Sequence, residues 1–585
     1  MKVALVGINA KFIHSNLGIH SIKQYNGKMG IHIDVLEYTI NQSIDDILER
    51  VIETSAQVIG FSCYIWNIEI IRKLVVEVHK IMPETFIMLG GPEVSYELKT
   101  FMTELPMVSV IIYGEGEKST NLLLAKLIAG RSYASVNGIA YREGNQIFIN
   151  PPVDNLDMDE IPFVYEKDMS DYEHKILYYE STRGCPFKCS YCLSSIEKGI
   201  RYRSMPLVMR ELQFFLDSNV RQVKFVDRTF NCNQSRTKAI WAYIIEHDNH
   251  TTNFHFEIAA DLLNEAILSI LKDARPGLIQ LEIGVQSTNQ KTLEIVQRVT
   301  DFDSLSTSVK AIHAYQNIHV HLDLIAGLPA EGYDSFAKSF NDVYNLGPDQ
   351  LQLGFLKVLR GSGIKLRADQ YGLVYRDYAP YEILKTNDLT FAEMTKLKMV
   401  EYVLELYYNA GHFRHTLTYL ERFCQSPFHM YEGLGQYFAE NEGHLLKHSK
   451  LSLYTFLKNY GAQIEGINLD YLVQVLKFDL MLQEKIKKYP EWLEADHTYE
   501  ALIRGFYAME VNHPRVLAHL KDNNAKQLSR LCHVEVFDYN MISEDMGPQK
   551  VAVVFDYIAR NKLNNEAGTT IIELSQLEAM ITDQK

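Results

Sequence analysis

The feature that narrows the fold most is a repeat of short strand-like runs, each followed by a helical pattern. In the middle of the chain the runs are "ILYYESTRG" (176–184), "QVKFVD" (222–227), "FHFEIAAD" (254–261), "IQLEIGVQ" (279–286), "VHLDLIAGLP" (320–329) and "LQLGFLKVL" (351–359). Stretches such as "LVMRELQFFLD" and "NEAILSILKD" separate them. Strands joined through helices pair in parallel, with right-handed crossovers. Six such units, about thirty residues apart, predict a partial or full parallel barrel. Barrel chemistry sits at the C-terminal strand ends, so functional residues are sought at that mouth.

The first part of the chain alternates in the same way. "VALVGI" (3–8), "HIDVLEYT" (32–39), "VIGFSCYIW" (58–66), "FIMLGGPE" (86–93) and "VSVIIYGEGE" (108–117) read as strands, with helical patterns such as "IDDILERVIE" and "EIIRKLVVEVHKI" between them. Five strands separated by helices predict a doubly wound, Rossmann-like sheet. Ligands of such sheets lie beyond the carboxyl ends of the strands. Those ends carry Asn9, Ser62, Gly90, Gly91, Gly114 and Gly116. Glycine there serves either a tight turn or the close approach of a ligand, and several at corresponding strand ends point to a cofactor. A nucleotide is the competing ligand, but "GINAKF" lacks the dinucleotide fingerprint and no P-loop pattern occurs. "GIAYREGNQIFINPP" (138–152) reads as a hairpin with a Glu-Gly-Asn turn, and "NLDMDEIPF" (155–163) as a linker.

Composition matters mainly for what it excludes. No apolar run approaches the roughly 20 residues of a membrane helix. "MKVALVGINA" runs straight into a strand and lacks the features of a secretory leader. Seven cysteines form a sparse, odd set, so a reducing cytoplasm is the expected setting. A net charge of −15 argues against a general nucleic-acid surface.

In that setting the segment "STRGCPFKCSYCLSS" (181–195) stands out, with Cys185, Cys189 and Cys192 directly after the first barrel strand. A tight trio of this kind reads as metal-binding or redox-active rather than as a staple. A structural zinc site normally needs four ligands from paired motifs, and no partner motif lies nearby. A thioredoxin-like pair would leave the third cysteine idle. Three thiolates suit a cubane iron–sulfur cluster with one iron left open. The C-x3-C-x2-C pattern with Tyr191 before the last cysteine resembles the radical S-adenosylmethionine (SAM) enzymes. In that family the open iron chelates the amino and carboxylate groups of SAM, and reductive cleavage of the sulfonium gives a 5′-deoxyadenosyl radical.

The resemblance implies further residues. "FVDRTFN" (225–231) stands where the family holds the methionine end of SAM, with Asp227, Arg228 and Asn231 as candidates, although the glycine-glycine-glutamate form is absent. Glu257, and Glu282 and Gln286 in "EIGVQS", resemble polar strand-end positions that meet ribose, carboxylate or substrate. Arg298, expected on the following helix, is a candidate for the SAM carboxylate or ribose. Gly327 in "DLIAGLPAEG" resembles the turn against adenine.

A doubly wound domain ahead of such a barrel resembles the cobalamin-binding branch of the family. "GINAKFIHSNLGI", "GFSCYIWN", "GGPEV" and "YGEGE" match it at the strand ends. This implies a cobalamin site built from Asn9, Ser62, Tyr64, Trp66, Gly90, Gly91, Glu93, Gly114, Glu115 and Gly116. The D-x-H-x-x-G signature is missing, since His14 has no aspartate two residues before it. The cobalt face is therefore expected near Tyr64 or Trp66 without a histidine, and with the nucleotide tail detached.

After "FLKVLRGSGI" (355–364) the pattern turns helical. "FAEMTKLKMVEYVLELYYNAG" (391–411) places Leu397, Val400, Leu404 and Tyr407 at helical spacing, with Gly411 as a C-cap. "VEVFDYN" and "VAVVFDYI" return to strand. The region resembles a helical extension found in one bacterial branch of these enzymes. His412, Arg414, His415 and Arg422 read as a solvated helix end, and Cys232 lies near the barrel mouth.

The expected organisation is α/β. A Rossmann-like cobalamin-binding domain covers 1–135, a hairpin and linker 136–170, a partial (β/α)6 TIM-like radical SAM barrel 171–375, and a mainly helical C-terminal domain with terminal strands 376–585. The resemblance implies a 4Fe-4S cluster, SAM and cobalamin as cofactors, and an electron donor such as flavodoxin or ferredoxin. The activity it implies is methyl transfer to an unactivated carbon. A radical cyclase or rearrangement enzyme, or an iron–sulfur electron-transfer or sensing protein, are the alternatives. Fold-level analogy names no substrate.

Overall fold

The computed structural model describes residues 1–582 except 166–168, 198, 487–488, 494–496 and 544–546. Residues 166–168 belong to the expected linker and lie outside the described residues. The chain forms two compact units, Met1–Tyr333 with Phe355–Phe391, and Asp334–Gly354 with Ala392–Lys585.

The first unit opens with a seven-stranded sheet. Its strands are β1 (Lys2–Asn9), β2 (His32–Thr39), β3 (Val58–Ser62), β4 (Phe86–Gly90), β5 (Val110–Ile112), β6 (Ile139–Glu143) and β7 (Gln146–Ile149), in the order β2-β1-β3-β4-β5-β6-β7. The first five are parallel. The period-two alternation of β1 sorts its side chains between two cores. Ala4, Val6 and Ile8 join α2 (Ile44–Glu53), α3 (Ile68–Ile81) and α4 (Leu98–Glu104) on one face. Val3 and Leu5 join α1 (Leu17–Tyr25) and α5 (Gly116–Ile128) on the other. Side-chain caps fix the helix starts: Asn16 accepts from the Ile19 N–H, and Ser43 from the Asp45 N–H. The hairpin expected to stand apart instead continues this sheet. Ile139, Ala140 and Tyr141 pair antiparallel with Ile112, Ile111 and Val110, which covers an apolar edge. Its turn is the two-residue Gly144-Asn145 between the paired Glu143 and Gln146.

The second sheet of this unit runs β8 (Leu177–Tyr179), β11 (Gln222–Phe225), β12 (Asn253–Ile258), β13 (Ile279–Gln286) and β14 (His319–Ala326), each paired in parallel with the next. The first strand is shorter than the sequence suggested. It stops at Tyr179, and Thr182–Arg183 (β9) pairs antiparallel with Arg201–Tyr202 (β10). Asp227 causes the break: its carboxylate takes the Ser181 N–H at 2.7 Å, the Ser181 hydroxyl at 2.5 Å and the Thr182 N–H at 3.0 Å. Gly184 then turns with φ +96, where a Cβ would collide with the Gly199 carbonyl. The sixth expected strand forms as Gln350–Phe355, and most of it belongs to the second unit.

The second unit is mainly helical. The helix Phe391–Leu404 continues through a π turn to Asn409, and Leu397, Val400, Leu404 and Tyr407 are all buried as their spacing predicts. Gly411 follows with φ +69. Strands Cys532–Tyr539, Pro548–Asp556 and Gly568–Glu573 form an antiparallel sheet, backed by helices Glu500–Asn512, Ala525–Leu531 and Leu574–Thr582. Among the described residues no helix is long and apolar enough to cross a membrane.

Candidate functional site

The cysteine loop leaves β9 at the C-terminal side of the first barrel strand. It is held from outside by backbone bonds, Ser190 N–H to the Val296 carbonyl at 2.8 Å and Ile364 N–H to the Ser190 carbonyl at 2.7 Å. The three thiols are close enough for Cys192 and Cys189 to act electrostatically on Cys185, whose thiol is raised mainly by burial. Thr229 lies 3.7 Å from the Cys185 sulfur. No three described His, Cys, Asp or Glu side chains converge as ligands of a single metal ion. Three thiols on one short loop suit a cubane cluster with an open iron.

Beside the loop, Arg298 places Nη1 3.8 Å from the Cys189 sulfur and 3.5 Å from the Tyr191 hydroxyl, while Nη2 donates to the Gly284 carbonyl. Arg298 stands just beyond the short helix Gln290–Ile295, not on it as expected, because that helix ends in a turn through Gln297 at φ +57. Arg298 Nε and Gln286 Oε1 are buried without protein partners. Orphaned polar atoms beside the thiols are what a polar ligand such as SAM would satisfy. Gln286 sits at a register shift of β13 with φ +73, and Gly327 turns at φ +89. Glu282 is already engaged, with Lys224 at 2.8 Å and His255 at 2.9 Å. Burial alone would raise its carboxyl, but the His255 hydrogen bond and the Lys224 ammonium hold it at about 2.

Two expected contacts turn out to be structural. Asp227 is fully buried and spent on Ser181 and Thr182. Asn231 exchanges two bonds with the Ala259 backbone, at 2.7 and 2.9 Å. Neither lines the two cavities beside Tyr64, and the turn after β11 uses both to tie neighbouring strand ends together.

Above the first sheet lie two adjoining cavities of about 470 and 560 Å³. They share Gly18, Tyr64, Glu180, Arg183, Val226 and Arg228. The first is further lined by Asn9, His14, Trp66, Tyr178, Lys224 and Glu257. The second descends along Gly60, Ser62, Gly90, Gly114, Gly116 and Thr120. Glycine backbone alternates there with side chains such as Met88, Ile112 and Tyr113, and Thr120 Oγ1 is buried without a partner. Tyr64 and Trp66 stack with centroids 4.4 Å apart, and Trp66 is 42% exposed. An aromatic shelf over a glycine-lined cleft with an unsatisfied hydroxyl fits a large flat cofactor with a slender tail, as cobalamin has.

The remaining cobalamin candidates divide. Asn9 donates to Glu37 at 2.9 Å and to the His14 carbonyl at 3.1 Å, which sets the loop after β1. Glu115 pairs with Arg183 at 3.2 Å and with Arg201. Gly91 serves a turn, since at φ +115 a Cβ would lie 2.5 Å from the Cys63 carbonyl. Glu93, expected at the cofactor, lines neither cavity. It is buried against the Tyr381 hydroxyl and lies 3.4 Å from Arg360.

His14, read from the sequence without a ligand role, places Nδ1 2.6 Å from the Tyr178 hydroxyl, joining the first sheet's loop to the barrel. Other residues were not singled out from the sequence. Glu37 gathers Asn9, the Asn16 N–H, His20 and Lys175. Lys224 stands across from His255, and His321 and Asp323 follow two and four positions further along the same face. The signal was present as polar residues at alternate positions of "VHLDL" and "FHFEI".

A glycine-lined Rossmann-like domain feeding the mouth of a parallel barrel with a three-cysteine loop defines the class of cobalamin-binding radical SAM enzymes. Family models agree: the B12 binding domain matches residues 3–124, the radical SAM superfamily 179–343, and a protein of unknown function model, DUF4080, 369–555. The chain carries a B12-binding domain and a radical SAM domain, with a DUF4080 segment after them. Among similar proteins is the cobalamin-dependent radical SAM methyltransferase TokK of Streptomyces tokunonensis, 24% identical over 56% of this chain and 51% of the relative. An uncharacterized methyltransferase, PH0819 of Pyrococcus horikoshii, is 24% identical over 54% of this chain and 72% of the relative. The chain thus spans about half the length of TokK. The solved structure of the cobalamin-dependent SAM radical enzyme OxsB, with aqua-cobalamin and SAM bound, superposes with TM-score 0.61 at 15% identity, covering 83% of this chain and 82% of that one. The radical SAM methyltransferase TsrM from Kitasatospora setae gives 0.55 at 16% identity, over 65% and 76%. At these identities the likeness concerns the fold.

Proposed function

We propose that the protein transfers a methyl group to an unactivated carbon, using a 4Fe-4S cluster, SAM and cobalamin. The observation that carries this reading is the pair of adjoining cavities, which bring Tyr64 and Trp66 of the first sheet into one space with Lys224 and Glu257 of the barrel. When bound, the cluster and SAM supply a hydrogen-abstracting radical, and cobalamin supplies a methyl carrier.

The chain's own residues do the rest. Cys185, Cys189 and Cys192 hold the cluster. Tyr191, Arg298, Gln286, Glu282 and Gly327 surround SAM, with Arg298 Nε and Gln286 Oε1 as its free polar contacts. Asn9, Ser62, Gly90, Gly114 and Gly116 shape the cobalamin cleft, and Tyr64 and Trp66 form its shelf. Arg228, in both cavities, stands between the cobalamin shelf and the barrel. The protein supplies orientation and a sheltered volume for chemistry that belongs to the cofactors. Of the divisions expected from the sequence, 1–135, 136–170, 171–375 and 376–585, we keep the last two and count the hairpin with the first domain, whose sheet it continues. A flavodoxin or ferredoxin as reductant and a reducing cytoplasmic setting complete the reading.

The test is anaerobic reconstitution with methyl-labelled SAM and hydroxocobalamin, followed by a search of cell extract for label in a new carbon–methyl bond. Release of 5′-deoxyadenosine and adenosylhomocysteine with labelled product is expected. Cleavage without any transferred methyl would overturn methyl transfer and favour a rearrangement enzyme.

A further inference from the structure

A parallel barrel normally fills its interior with branched apolar side chains. This one does not. The strand register sets Tyr178, Lys224, His255, Gln280 and His319 at one level. Two residues further along, Glu257, Glu282 and His321 stand abreast, followed by Asp323 opposite Gly284. The alternate residues Leu281, Ile283, Val285, Val320, Leu322 and Leu324 are almost completely buried, whereas Gln280, Glu282 and Gly284 between them keep part of their surface. The inner face is therefore a polar hollow, and Lys224 and Glu257 open it to the cavity beneath Tyr64 and Trp66.

We propose that this hollow is the substrate's seat and that it takes a cationic nitrogen, an amine whose ammonium docks on Glu257 with Asp323 beside it. The proposal rests on the methyl-transfer reading for the word substrate. It moves Glu257 from SAM to the substrate.

The charges decide the sign of the ligand. Lys224 is already committed to Glu282 at 2.8 Å, so an anion entering the hollow would have to displace that carboxylate. Glu257 has no hydrogen-bond or ion-pair partner among the described residues, and the Asp323 carboxyl has only His321, at 3.2 Å. The groups facing Glu257 are Glu282 on β13, Lys224 on β11, and Arg228 and Asp227 in the turn after β11. Burial, then the Glu282 charge, raise the Glu257 carboxyl. Burial with Glu282 and Glu257 raises Asp323 well above the usual range, against Lys224 and Arg298. His255 and His321 are held neutral, mainly by burial, the latter at about 4. Empty, the hollow thus carries one internal ion pair and two carboxyls that resist ionising. A carboxyl in that state gains a partner when a cation arrives, and releases its proton.

The experiment is infrared difference spectroscopy on the reconstituted full chain, following protonated carboxyl bands across pH with putrescine as the amine probe and acetate as the control. Of the carboxyl bands titrating above the ordinary range, one is expected to disappear in Glu257→Gln while that of Asp323 remains. Saturating putrescine should lower that titration by about one pH unit or more, equivalent to roughly tenfold tighter probe binding to the ionised form, and acetate should not. Asp323→Asn, a second variant in case the first fails to fold, should weaken the putrescine response. A set of raised carboxyl bands unchanged in Glu257→Gln, or a response to acetate and not to putrescine, overturns the seat. A shift produced by SAM alone would return Glu257 to SAM and also overturn it. None of these readouts requires methyl transfer, so failure of that reading is seen separately, as SAM cleavage without labelled product.

Discussion

The Arg298 guanidinium stands 3.8 Å from the Cys189 sulfur and 3.5 Å from the Tyr191 hydroxyl. One cation thus ties the cysteine loop to the end of the fourth βα unit. Groups that orient metal ligands from outside typically matter by about 10–100-fold. Arg298→Met is expected to slow SAM cleavage by about that factor, with Arg298→Lys recovering part of it. Anaerobic measurement of 5′-deoxyadenosine release checks this, with iron and sulfide content showing whether the cluster itself is retained.

Gly91, which lines the second cavity, is held to glycine by the approach of Cys63. A Cβ there would lie 2.5 Å from the Cys63 carbonyl, in a backbone conformation of φ +115. Gly91→Ala is expected to destabilise the apo protein by about 1–3 kcal/mol. Denaturant unfolding reads this directly. A variant as stable as the parent would mean that the turn rearranges freely.

Asp227 satisfies three donors from a position with no solvent exposure. Asp227→Ala leaves those donors buried and unpaired, at about 1–3 kcal/mol each before relaxation. The expected result is a loss on the order of 3 kcal/mol or more, together with poor cluster assembly, because Ser181 and Thr182 lead directly into the cysteine loop. Asp227→Asn should recover only part, having exchanged one acceptor oxygen for an amide.

Glu37 gives the protein an acid-sensitive joint. Burial opposes its charge, but His20, Asn9 and Lys175 outweigh burial and hold the carboxyl at about 2, from an ordinary 4.5. A carboxyl depressed in the fold contributes stability above its unfolded value and loses it as pH falls from about 4.5 toward 2. The contribution at neutral pH is on the order of 3 kcal/mol. Glu37→Gln should lower the melting temperature at pH 7 and flatten its fall between pH 5 and 2. Thermal melts across that window provide the measurement.

Trp66 is one of three tryptophans in the chain and the one at the cavity shelf. Cobalamin titration is expected to quench its fluorescence. Trp66→Ala removes a stacked aromatic surface worth about 0.5–1.5 kcal/mol beyond area, so affinity should fall by about tenfold or less. Quenching that survives in Trp66→Ala would place cobalamin elsewhere.

The cysteine trio was readable because its information is local. Three thiols within eight positions lie on one loop whatever the rest of the chain does. The strand-end glycines were readable for a similar reason, since βα alternation alone sends successive strand ends to the same edge. The partners of Glu93 and Asp227 were not readable, because position and partner are different kinds of information. Both stand at strand ends, where ligands are expected. Their partners are Tyr381, nearly three hundred residues away, and a backbone kink at Ser181 that no pattern announces.

The sequence by itself determined the two parallel α/β arrays, the helical segment after them and the place of the thiols, because apolar periodicity and tight spacing act over a few residues. Only the tertiary structure decided which polar groups are free. Whether Glu257 lacks a partner while Glu282 holds two depends on strand register, which brings residues dozens of positions apart to one level of the barrel and leaves burial and charge to choose among them.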